Sequence, residues 1–193
     1  IYDVDIKELA DDTGRIIQQV FFYGDDDGKA YFPQFVNAFD ETQWKITKKS
    51  EWVEIQSLKD KITVYANLPL NADANLDDSA QQHLNVYLAS KGLKPTVVVH
   101  RGHSYWLPGT IKRMPQTARI VIIGSCGGYK NLSKILEVAP DAHIISTKEI
   151  GTGDINRPIF TELNQMIITK RKVDWRVMWE SLTKKFNADP NRG

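Results

Sequence analysis

Two short runs in the middle of the chain, 96–99 and Ile120–Ile123, are apolar and β-branched throughout, and a short helical connector, "LPGTIKRMPQTA", lies between them. A strand that is apolar on both faces must be covered on both. Strands of that kind alternating with helices belong to parallel sheets sandwiched between helical layers.

The rest of the sequence repeats the alternation. Residues 17–23 read as a buried strand, broken by Gly24 and the acidic turn that follows. Tyr31, Phe32, Phe35, Val36 and Phe39 then share one helical face. In "NLDDSAQQHLNVYLASKG", Asp77, Asp78 and Ser79 supply start signals for a helix. Leu76, Ala80, Leu84 and Leu88 form its stripe, and Gly92 ends it. "NLSKILEVA" predicts a helix and "AHIIS" a strand. Two further apolar stripes close the pattern: Ile159, Phe160, Leu163, Met166 and Ile167, then Trp175, Met178, Trp179, Leu182 and Phe186. Residues 52–55 and 62–66 flank a polar "SLKDK", a hairpin signal without glycine in its turn. The expected fold is α/β, a three-layer α/β/α sandwich with a mostly parallel sheet and an antiparallel hairpin at one edge. A single domain is expected over 15–190, with 1–14 as an N-terminal extension or linker. The start at Ile1 reads as that of a mature product or a piece of a larger chain.

Composition narrows the partners. The formal net charge of +1 over 193 residues provides no long-range field for nucleic acid or an anionic membrane surface. No apolar run is long enough for a bilayer span. A lone cysteine, Cys126, allows no internal disulfide and leaves the compartment open.

Cys126 stands on a glycine-flanked turn, and its position in the expected fold gives it meaning. Ligands of open α/β sheets bind beyond the carboxyl ends of the strands. "YGDDDG", "HRGHS" and "GSCGG" each follow a strand and meet that edge. Successive strands joined by a short crossover usually lie side by side, about 4.8 Å apart, which sets His103 opposite Cys126 at about 5–7 Å. Gly127 and Gly128 lack Cβ atoms, so a substrate backbone can approach the sulfur. The helix expected next would direct free N–H groups at Cys126 and favour its thiolate, and the Cys126 amide is a candidate oxyanion donor.

Other readings of these residues are weaker. A cysteine after an apolar strand is commonly a buried hydrophobe. His100, His103 and Cys126 would make a poor metal site, because residues three apart in an extended segment face opposite ways and a fourth ligand is missing. Neither metal nor cofactor is therefore expected. Gly124-x-Cys126-x-Gly128 fits a nucleophile elbow, but that fold needs its histidine after the nucleophile, and His143 begins a strand at the wrong end of the sheet. His100 is read as a strand-end residue that packs or orients its neighbours, and His83 and His143 as structural.

"VVVHRGHS" followed by "IVIIGSCGGY" resembles the caspase-like (clan CD) cysteine peptidases, among them caspases, metacaspases, legumain, separase, gingipain and clostripain. Gly102-His103 matches that family's histidine motif, and Ser125-Cys126 with Gly127-Gly128 its nucleophile motif. The resemblance implies a cysteine endopeptidase acting on a peptide or protein substrate. Cys126 would be the nucleophile and His103 the group that protonates the leaving amine. The amides of Cys126 and Ser104 would hold the oxyanion, in a backbone setting made by Gly102 and Gly127. By the same resemblance one of Asp25, Asp26 and Asp27 would line a pocket for a basic side chain, while the residues alone also read as an ordinary solvated turn; Asp154 and Arg157, in the loop after the last strand, lie at the same edge and either contact substrate or pair with each other. Three features depart from the family: Ser104 in place of a glycine, a short connector between the motifs, and Gly124 where metacaspases carry Asp. The last leaves the acidic pocket half-built; the first two, with the start at Ile1, leave room for the alternative, a catalytically inactive caspase-like module that binds a partner or regulates a larger protein.

Overall fold

In the computed structural model, which describes residues 2–170 and 172–188, the central element is a seven-stranded sheet. Its strands are β2 (Ile16–Phe22), β3 (Trp44–Lys48), β4 (Trp52–Ser57), β5 (Ile62–Asn67), β6 (Val97–Arg101), β7 (Ile120–Ile123) and β8 (His143–Ser146). They lie in the order β3-β4-β5-β2-β6-β7-β8. The five from β5 to β8 run parallel, and β3 and β4 add an antiparallel edge.

The two-residue period of a strand divides the sheet's side chains between two helical layers. Val20, Phe22, Val97, Val99, Ile120 and Ile122 pack toward α2 (Asp26–Asn37), α6 (Gly153–Thr169) and α7 (Trp175–Asn187). Phe21, Val98, Val121 and Ile123 point the other way, against α4 (Leu107–Arg113) and α5 (Leu132–Val138). Ile17 and Tyr65 meet Leu84 and Leu88 of α3 (Leu76–Ser90) on that second side. The architecture is thus α/β, with a mostly parallel sheet between helices, as the apolar runs implied.

The hairpin forms without a turn glycine because Ser57 closes it. Its hydroxyl accepts from the amides of Lys59 and Asp60 at 3.3 and 3.1 Å. Strand β3 gave no signal of its own. "WKITK" is half polar, as suits an edge strand whose lysines discourage further pairing. In α3 the start signals do other work. The N-cap is Asn75, at φ 54° and without a side-chain cap bond. Asp77 instead accepts from the Gly24 amide at 2.9 Å, and Asp78 pairs with Arg113. Leu76, at the head of the expected stripe, is exposed, and so is Trp179 of α7.

Residues 3–9 comprise β1 (Asp3–Asp5) and α1 (Ile6–Leu9). Strand β1 pairs antiparallel with β9 (Lys172–Asp174), and Val4 and Leu9 are buried in the same core as α6 and α7.

Candidate active site

Strands β6 and β7 are neighbours in register, Val97 against Ile120 through His100 against Ile123, so their C-terminal turns emerge side by side. The β6 turn carries His103 and the β7 turn Cys126. Both line one solvent-open cleft of about 230 Å³. Cys126 is exposed, which removes the reading of it as a buried hydrophobe. Among the described residues no group of three metal-ligating side chains is assembled, and no hydrogen bond joins the thiol to the imidazole.

The cysteine turn is held by its backbone. Asn156 of α6 donates to the Gly124 carbonyl at 2.9 Å, Thr147 donates to the Ser125 carbonyl, and the Gly127 amide donates to the Glu149 carbonyl at 2.8 Å. Glycine is needed at 124, where a Cβ would stand 2.7 Å from the Asn156 amide nitrogen. Gly127 has φ +60°, a left-handed conformation that few side chains tolerate. With its N–H already bonded, Gly127 shapes the turn and does not supply an oxyanion donor. No acceptor among the described residues engages the amides of Cys126 and Ser104. After Cys126 comes a short 3-10 turn, Gly128–Asn131, and only then α5, so no α-helix begins directly at the sulfur.

His103 is positioned from beneath by His100. That ring is fully buried, with Nδ1 2.7 Å from the Thr110 hydroxyl and Nε2 facing the carbonyls of Gly102 and His103 at 3.1 and 3.3 Å. Two carbonyl acceptors require the proton on Nε2, and Nδ1 then accepts from Thr110. The ring stays neutral, since burial pushes its pKa down to about 4. The His103 ring stacks on Tyr105 at 5.2 Å, and its Nε2 lies 3.3 Å from the Asp27 carboxylate.

The three aspartates separate. Asp25 caps α2, accepting from the Gly28 amide at 2.7 Å, and its other oxygen takes the Trp106 indole N–H at 2.9 Å. Asp26 is exposed in the first turn of α2, away from the cleft lining. Only Asp27 lines the cleft, beside His103. Asp154 sits in the first turn of α6 at 3.5 Å from Arg157 and is not in the cleft wall. Gly102 is in that wall, and a Cβ there would strike the Tyr23 ring at 2.7 Å.

Four contributors were not singled out for the site by the sequence: Asn156, Thr147, Tyr31 and Arg101, which hold the cysteine turn or wall the cleft. Each depends on contacts between distant segments. Arg101 alone offered a hint, as a cation at the end of an otherwise apolar strand. Compared with protein-family models, with curated proteins and with solved structures, the chain matches none.

Proposed function

We propose that the protein is a cysteine endopeptidase in which Cys126 and His103 form the dyad. One observation carries the reading: a free thiol and an imidazole, from the turns of two adjacent parallel strands, line a single open cleft at the sheet's carboxyl edge. The thiol proton passes to the imidazole. The sulfur then attacks the carbonyl carbon of a bound peptide, the C–N bond breaks, and the amine departs with a proton from His103. Water cleaves the resulting thioester, releasing the acid and restoring the thiol. The unengaged amides of Cys126 and Ser104 are the donors for the tetrahedral oxyanion. Asp27 holds the imidazole, and His100 fixes the backbone beneath it. The caspase-like resemblance of the two strand-end motifs supports the same assignment, and Asp27 is the one aspartate able to favour a basic side chain.

The test is turnover of a mixed peptide library by the parent chain and by Cys126→Ala and His103→Ala. The expected result is cleavage by the parent and a loss on the order of 10³-fold or more in each variant. Variants as fast as the parent would eliminate the dyad. A parent that cleaves no peptide would leave the binding or regulatory module. Equal turnover of Arg-, Asp- and Ala-type reporters would remove the basic preference alone.

A further inference from the structure

On the α2 and α6 side of the sheet a second cavity, of about 210 Å³, adjoins the thiol cleft and shares Tyr31, Arg101 and Asn156 with it. Its apolar wall is built from Phe35, Phe39, Trp44 and Phe160. Phe39 makes edge contacts with Trp44 and Phe160, at 5.1 and 6.3 Å between centroids. Arg101, the last residue of β6, brings a cation into this wall. Its contact is with the Tyr31 ring, 5.8 Å from the centroid, and no carboxylate among the described residues lies within ion-pair distance. Burial lowers its pKa to about 10. Arg101 is half-buried, and its guanidinium fork suits a planar anion entering the cavity. Arg157, at the rim, adds a second guanidinium, which donates to Gln34 at 3.0 Å and stands 3.5 Å from Asp154. The one carboxylate in the wall, Asp40, is turned to the Thr42 amide at 2.9 Å.

We propose that this cavity binds a small carboxylate with an apolar body, its anion on Arg101 and its ring or branched chain against Phe35, Phe39, Trp44 and Phe160. The size suits such a ligand: an apolar cavity of about 150 Å³ is enough for benzene, and a carboxylate on a short stem fills the remainder. A bidentate carboxylate would supply the counter-charge that Arg101 lacks. The site does not depend on the dyad, and its ligand binds whether or not the chain cleaves peptides.

The experiment is calorimetric titration of the whole chain with 4-phenylbutyrate, its amide and the corresponding amine. The carboxylate is expected to bind at least about tenfold more tightly than the amide, and the amine not at all. Arg101→Gln should erase the difference between acid and amide, while Arg101→Lys should retain part of it. Equal affinity for acid and amide in the parent chain would overturn the proposal, as would no binding of 4-phenylbutyrate at about 10 mM. The comparison of ligands on the parent stands even if Arg101→Gln fails to fold.

Discussion

His100 shows how one residue ties stability to the site. It is sealed between Thr110 and two carbonyls as a neutral ring whose pKa lies near 4, against 6.5 for a free histidine. As pH falls from about 6.5 the unfolded chain takes up a proton that the folded chain refuses until about 4. Across that window the unfolded state binds more protons, so stability decreases as the solution is acidified. The contribution is on the order of 3 kcal/mol. Urea midpoints at pH 7 and pH 4.5 should differ more for the parent than for His100→Asn, and an unchanged pH slope in the variant would contradict this. Asn156 makes a second residue-scale case. Asn156→Ala would strand the buried Gly124 carbonyl at a cost of about 1–3 kcal/mol and loosen the cysteine turn. A lower melting temperature together with slower peptide cleavage is the expected readout.

At the scale of elements, the sequence reading succeeded where a segment's own pattern determines its state. Ile120–Ile123 has the bounds its apolar run implied, because four β-branched residues between Arg119 and Gly124 favour a short buried strand. The pairing of β4 with β5 was legible for the same reason. Strand β3 was not, since its lysines make it an edge strand only once β4 is present to receive it. Asp77 misled by local logic: a carboxylate at a helix start reads as a cap, yet here a distant strand end, Gly24, takes it. Residues 3–9 are a further case of long-range placement. Leu9 is fully buried and β1 is paired with β9, so Leu9→Ala should cost about 2–5 kcal/mol in chemical denaturation, with a single cooperative transition retained. A loss below about 0.5 kcal/mol would mean that this segment is not part of the cooperative core.

For the whole molecule, the sheet's order converts two remote sequence motifs into one cleft. The juxtaposition of the Gly102-His103 and Ser125-Cys126 turns was legible because parallel strands joined by a short crossover place their carboxyl ends together. What surrounds that pair was not. Asn156 and the cavity behind Arg101 arise from α6 and α2 folding back over the same edge, and no local pattern encodes that approach. The charge pattern also changed meaning in three dimensions. Three consecutive aspartates become a helix cap, a solvated carboxylate and a partner for His103, while Arg101, on the neighbouring strand, meets the Tyr31 ring.

Covalent capture tests most directly whether sulfur and imidazole work together on a peptide carbonyl. The chain would be treated with a mixture of peptidyl acyloxymethyl ketones and followed by intact-mass spectrometry. A single adduct, mapped to Cys126 and formed much more slowly in His103→Ala, is the predicted result. No adduct on the parent, or labelling at the same rate without His103, would contradict it.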